Sequence, residues 1–285
     1  MYTNGMQEKV IELPSSTIHY WQNKAKKNAP TIVMVHGFRG THHGLLKIAT
    51  NLGDKYNLII PDLPGFGASQ PFTGANSSLP NFVKFLQEFI DTLELKTKPH
   101  LLAHSFGTII ASAYVAENPS AINKLILLSP VASAPLPELL QPIVIAPTKL
   151  VGAMPEKLGH HLMGNYLVTD IMTLYSTKTK DPELKKWIKA EHRRYFNTFV
   201  TTKSMTDAFI VSLTDHVATF APKIPNPTLI VYGDKDNVAG AKRQKALSQL
   251  FTNVKSKSIP KTGHLIPYEV PEAVAKAIDD FVHAK

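Results

Sequence analysis

Residues 101–113 read Leu-Leu-Ala-His-Ser-Phe-Gly-Thr-Ile-Ile-Ala-Ser-Ala, and the bend inside this stretch decides the fold. Pro99 to Ala103 is apolar enough for a strand buried on both faces, and Thr108 to Tyr114 reads as helix. The residues between them are too few for a loop. A strand that turns directly into a helix needs small neighbours at the turn, and Ala103 and Gly107 flank Ser105 at minus two and plus two. Such a turn lifts a hydroxyl above the carboxyl edge of a sheet, at the positive end of the next helix. A serine ahead of a helix can also be a plain N-cap. The rest of the chain decides between the two.

Outward from the bend, strands and helices alternate. Residues 8–13 and 17–22 read as a hairpin around Pro14-Ser15-Ser16, followed by a strand at 31–35, a helix at 44–53 and a strand at 57–61. A long helix at 79–94 carries Phe82, Phe85, Leu86, Phe89, Ile90 and Leu93 on one stripe. KLILL at 124–128 is the next strand after the bend. Short apolar strands alternating with helices predict an α/β fold with a mostly parallel sheet covered on both faces.

Over 132–222 the alternation stops. This segment opens with APLPELLQPIVIAP, and helical patterns follow at 156–175 and 182–220. Prolines 135, 137, 142 and 147 predict no long regular helix between Ala134 and Met154. Some of its apolar side chains are then expected to line a cleft. At 228–232 the earlier rhythm resumes, with a helix at 239–250, a strand at 254–259 and a final helix at 271–283. The predicted organisation is one sheet domain in two parts, 1–131 and 223–285, with a helical unit at 132–222 inserted between them.

A serine is a weak nucleophile until a base takes its proton and a third group orients the base. Asp234 and Asp236 follow the strand at 228–232, and His264 follows the next strand within Thr262-Gly263-His264. Both positions are strand ends, where sites in open α/β sheets collect. Taken singly, a Gly-Asp turn or a loop histidine is commonplace. Together with Ser105 they give the order nucleophile, acid, histidine, the order Ser105, Asp236, His264. After the strand at 31–35 comes His36-Gly37-Phe38-Arg39-Gly40, whose glycines let backbone N–H groups approach a ligand. The amides of Phe38 and Phe106 are the expected donors to a developing oxyanion.

With these residues in view the chain resembles the α/β-hydrolase family, over nearly its whole length. The resemblance rests on His36-Gly37-Phe38-Arg39-Gly40, Asp62-Leu-Pro-Gly65-Phe-Gly67-Ala-Ser69, Ala103-His104-Ser105-Phe106-Gly107, Gly233-Asp234-Lys235-Asp236 and Gly263-His264. It implies a mostly parallel eight-stranded sheet flanked by helices, with a helical cap inserted after the sixth strand. It also implies that Asp236, the second aspartate of its run, is the catalytic acid. Ala103 stands where many members have glycine, and Asp62 with its following glycines reads as a structural loop. A serine at the bend argues against haloalkane dehalogenase and epoxide hydrolase chemistry, which use an aspartate there. The expected activity is hydrolysis of a small or medium carboxylic ester through an acyl-enzyme on Ser105. Carbon–carbon bond hydrolysis of vinylogous diketones, or a low-turnover receptor of the same fold, are the alternatives.

Composition bounds the partners. The chain has 285 residues, 44% of them apolar, enough for a sizeable core. Its net charge of +9 is spread, with excesses of +3, +2 and +4 over 1–131, 132–222 and 223–285. No basic face with interleaved aromatics results, so a small-molecule substrate is expected and nucleic acid is not. The absence of cysteine excludes disulfides and thiolate metal sites. No apolar run approaches membrane-spanning length, and MYTNGMQEKV lacks an apolar signal core, so a cytoplasmic location without stable membrane insertion is expected. No cofactor or metal is expected; His42-His43 reads as a loop or helix start. Arg39 is expected to pin its loop by a salt bridge in preference to meeting an anionic substrate group. His160, His161 and His192 fall on the inserted helical unit.

Overall fold

In the computed structural model, which describes residues 5–284, the apolar stretches assemble into one eight-stranded sheet. The strands are β1 (Met6–Glu12), β2 (Thr17–Asn23), β3 (Thr31–Val35), β4 (Asn57–Pro61), β5 (His100–His104), β6 (Leu125–Leu128), β7 (Thr228–Gly233) and β8 (Val254–Ile259). Their order is β1-β2-β4-β3-β5-β6-β7-β8. β2 runs antiparallel to both its neighbours, and all other pairs are parallel. This is the α/β hydrolase architecture that the sequence implied.

The central strands are apolar throughout because alternate side chains feed two separate cores. Val33, Val35, Leu101, Ala103, Leu125 and Leu127 point to one face, where they meet Phe82, Phe85 and Phe89 of α2 (Leu79–Thr92) and Ile109 and Ile110 of α3 (Phe106–Glu117). Ile32, Met34, Leu102, Ile126 and Leu128 point to the other. There they pack on Ile48 and Leu52 of α1 (Leu46–Leu52) and on Val274, Ile278 and Phe281 of the C-terminal helix Pro271–His283. Each such fully buried side chain contributes roughly 1.5–3 kcal/mol. The bend at Ser105 is thereby held from both sides.

Between β6 and β7 lie only helices: α4 (Gln141–Gly152), α5 (Glu156–Met163), α6 (Tyr166–Ser176), α7 (Pro182–Tyr195) and α8 (Thr202–Thr214), with short 3-10 turns around them. The pattern at 156–175 is two helices, because Asn165 caps α6 by accepting from the Leu167 amide at 2.8 Å. The pattern at 182–220 likewise divides, with Thr201 capping α8 through the Ser204 amide at 3.0 Å. The proline-rich segment departs from expectation. It forms the twelve-residue helix α4, with Pro142 in the first turn and Pro147 inside. Of Ala134–Met154 only Pro135 lines the main cavity, while Leu139, Ile143 and Leu150 face solvent. α4 packs instead along α8, where Gly152 lies against Thr206.

Three further helices complete the chain: α9 (Ala241–Ser248), α10 (Ile266–Glu269) and α11, the helix Pro271–His283. Among the described residues no helix is long and apolar enough to cross a membrane.

Candidate active site

Ser105 occupies a left-handed conformation (φ 50°, ψ −119°) between the last residue of β5 and the first of α3. Such backbone costs of the order of 1–3 kcal/mol for a non-glycine residue and persists only where its surroundings over-determine it. Gly107 shows what holds it: a Cβ there would stand 2.6 Å from the His36 carbonyl oxygen and 2.8 Å from that of Val35. The helix therefore sits directly on the end of β3, with no room for a side chain.

Ser105, His264 and Asp236 come together. Ser105 Oγ lies 2.8 Å from His264 Nε2, and His264 Nδ1 lies 2.9 Å from Asp236 Oδ2. The other carboxylate oxygen, Oδ1, accepts from the amides of Val238 (2.8 Å) and Ala239 (2.9 Å). Burial works against the Asp236 charge, but the imidazole and these two amides outweigh it and hold the carboxyl below its ordinary range. An ionised Asp236 accepts the Nδ1 proton of His264, which leaves Nε2 bare toward the serine hydroxyl. Asp234 makes no contact with His264; its amide donates to the Ile259 carbonyl in the turn.

The loop bearing His264 is clamped from two sides. The His264 amide donates to the Ser176 carbonyl at the end of α6 (2.9 Å). The Glu269 carboxylate accepts from the Gly263 amide and from the Lys178 amide, each at 3.1 Å. Glu269 drew no attention in the sequence, since nothing local marks a glutamate that reaches back to the loop before it. His104, beside Ser105, has Nε2 3.3 Å from the His264 carbonyl oxygen, and burial pushes its pKa down to about 3.

The loop 36–40 lies over the same edge. His36 Nε2 accepts from the Leu63 amide (2.9 Å), so its proton is on Nδ1, where it donates to the Gly37 carbonyl (2.9 Å). Burial pushes the His36 pKa down, in keeping with this neutral tautomer. Among the described residues, the amides of Phe38 and Phe106 donate to no protein acceptor. Arg39 is buried, and its guanidinium donates to the carbonyls of Met163 (2.8 Å) and Phe196 (3.2 Å) and to Asn197 Oδ1. It pins the loop as expected, but through neutral acceptors on the helices between β6 and β7, with no salt bridge. Asp62 accepts from the backbone and ring of His42 (2.7 and 2.9 Å) and from the Ala68 amide (3.0 Å), shaping its loop. His42 stacks on Trp21, and His43 stacks on Tyr195 of α7. His160 stacks on Phe199, His161 is exposed, and His192 is buried at the cavity wall. Among the described residues no group of His, Asp and Glu side chains is arranged to hold a metal ion.

A cavity of about 250 Å³ opens above Ser105 and His264. Its lining is chiefly apolar, with Val131, Met172, Phe196, Phe209, Leu213 and Leu265 prominent. Met172, His192, Phe209 and Tyr268 carried no distinguishing signal in the sequence; each joins the wall through a helix packed far along the chain.

The profile of the alpha/beta hydrolase fold matches residues 30–271. Over 296 residues the chain is 24% identical to monoacylglycerol lipase ABHD6 of Homo sapiens, covering 98% of this chain and 83% of that protein. It is 26% identical over 283 residues to Lipase 3 of Moraxella sp. (strain TA144), covering 98% and 84%. A thermophilic esterase from Thermogutta terrifontis superposes with a TM-score of 0.78 at 20% identity, over 97% of this chain and 98% of that one. Fold and family match agree over most of the sequence, and the chain belongs to the alpha/beta hydrolase fold family.

Proposed function

We propose that the chain is a serine hydrolase that cleaves small or medium carboxylic esters through an acyl-enzyme on Ser105. The observation that carries this reading is the hydrogen-bonded line from Ser105 Oγ through His264 to Asp236, at the floor of an apolar cavity. His264 Nε2 takes the hydroxyl proton as Oγ bonds to the ester carbonyl carbon, and the carbonyl π electrons move onto oxygen. The resulting oxyanion meets the amides of Phe38 and Phe106; a donor of this kind is worth about a hundred- to a thousand-fold in rate. Collapse of the intermediate breaks the bond to the alkoxy oxygen, which leaves with the proton from His264. Water then repeats the sequence on the acyl-enzyme, and Asp236 orients the imidazole in both halves.

Residues 132–222 act in this reading as a cap over the cavity. The lipase and esterase descriptions of the relatives accord with an ester substrate. A fluorophosphonate probe is expected to label the protein, and Ser105→Ala to abolish labelling while the circular dichroism spectrum stays unchanged. Labelling that survives in the variant removes Ser105 from its role.

A further inference from the structure

His192 lies on α7, 1% exposed, at the wall of the cavity above Ser105. Its ring stacks on Phe196 and meets Tyr268 edge-on, so its orientation is fixed from two sides. Nδ1 is 2.8 Å from Thr173 Oγ1 on α6, and Thr173 Oγ1 is 2.7 Å from the Thr169 carbonyl oxygen. A threonine hydroxyl has one proton. Only one assignment makes both contacts hydrogen bonds: Thr173 donates to the carbonyl, and His192 Nδ1–H donates to Thr173. Nε2, across the ring, then carries a bare lone pair. That atom is buried and, among the described residues, has no hydrogen-bond partner. Burial pushes the His192 pKa down to about 3, so protonation does not remove the lone pair at neutral pH.

We propose that His192 Nε2 is a substrate-recognition acceptor in the cavity, selecting esters that carry a hydroxyl group over otherwise identical esters that lack one. The inference rests on the ester-hydrolase reading and names its substrate class. A bare acceptor in an apolar wall is an incomplete pair: a hydroxyl donor completes it, while an alkyl group leaves it unsatisfied and desolvated. Thr173 is the positioning residue, because its single proton dictates which nitrogen of His192 faces outward.

The test compares kcat/KM for two matched pairs. Glyceryl monobutyrate and propyl butyrate place the hydroxyls on the alcohol side; ethyl 3-hydroxybutyrate and ethyl butyrate place one on the acyl side. At least one pair is expected to show a preference of roughly tenfold for the hydroxylated ester, the scale of one buried neutral hydrogen bond. In His192→Phe, whose ring can keep the stack on Phe196, that ratio is expected to fall to within about twofold of one. In Thr173→Val the imidazole is free to carry its proton on Nε2, and the discrimination between hydroxyl and methyl ether is expected to collapse as well. Each ratio is taken within one protein, so a partly folded variant lowers both rates equally and leaves it unmoved.

Turnover without hydroxyl discrimination in either pair overturns the proposal and leaves the ester reading standing. Absence of turnover with p-nitrophenyl butyrate, propyl butyrate and ethyl butyrate alike overturns the ester reading and this inference with it. A ¹⁵N spectrum of the full chain supplies a second readout: a proton found on Nε2 of His192 in place of Nδ1 also overturns the proposal.

Discussion

Asp236 and Asp234 sit two residues apart, yet only one can serve His264. In Asp236→Asn the side-chain oxygen is expected to stay with the Val238 and Ala239 amides that now bind Oδ1, which turns the NH₂ group toward His264. Nδ1 then has to accept, Nε2 holds the proton, and the serine loses its base. We expect kcat to fall by roughly 10⁴-fold, the scale of a neutralised triad carboxylate. Asp234→Asn is expected to leave kcat within a few-fold and to act on turn stability; steady-state kinetics and thermal unfolding of both variants read this out, and the opposite ranking reverses the assignment. Ser105 and Gly107 could be read from sequence because their roles depend on neighbours two residues away. His192 could not: its meaning comes from Thr173, one helix earlier, and a lone histidine on α7 carries no trace of that pairing.

The elements show where local rules yield to packing. The prolines of Ala134–Met154 argued against a regular helix, and α4 forms there nonetheless. Pro142 falls in the first turn, where a missing N–H removes no intrahelical bond, so only Pro147 costs the helix one. Packing of α4 along α8 outweighs that cost. The loop of Phe38 depends on distant elements too, through Arg39 and its acceptors at Met163, Phe196 and Asn197. Arg39→Met leaves those acceptors buried without their donor. We expect a loss of about 1.5–3 kcal/mol in denaturant titration, the range for a hydrogen bond to a charged group. A fall in kcat larger than the rise in KM is expected beside it, because the Phe38 amide loses its fixed position. A variant as stable and as active as the parent would show that the loop holds its shape unaided.

At the scale of the molecule, the cavity sets the acyl chain and the buried histidines set the acid limit. About 250 Å³ of chiefly apolar space favours short acyl groups. Each methylene that enters it contributes up to about 0.8 kcal/mol, or about fourfold. We expect kcat/KM for p-nitrophenyl esters to rise from acetyl to butyryl or hexanoyl and then fall; a steady decline from acetyl onward contradicts it. His100, His104 and His192 are buried, with pKa values pushed down by burial to about 4, about 3 and about 3 from 6.5. Between these limits the unfolded chain binds protons that the folded one refuses. Their contribution is therefore complete above pH 6.5 and is lost as pH falls toward 4, by up to about 1.4 kcal/mol per pH unit for each histidine. Asp62 and Asp236, held below their ordinary range, lose theirs only at lower pH. Thermal unfolding at pH 7, 6 and 5 is expected to show a falling Tm, and a flat profile would place these rings in contact with solvent. The sequence by itself determined the alternation of strand and helix, the bend at Ser105 and the chain order of serine, aspartate and histidine. Each is written in contiguous residues whose spacing obeys a backbone period or a turn. The tertiary structure alone decided that α4 is helical, that Arg39 meets carbonyls and no carboxylate, that Glu269 clamps the His264 loop, and which nitrogen of His192 is bare. Those outcomes depend on hydrogen bonds and packing between elements, and there the partner is chosen by the fold.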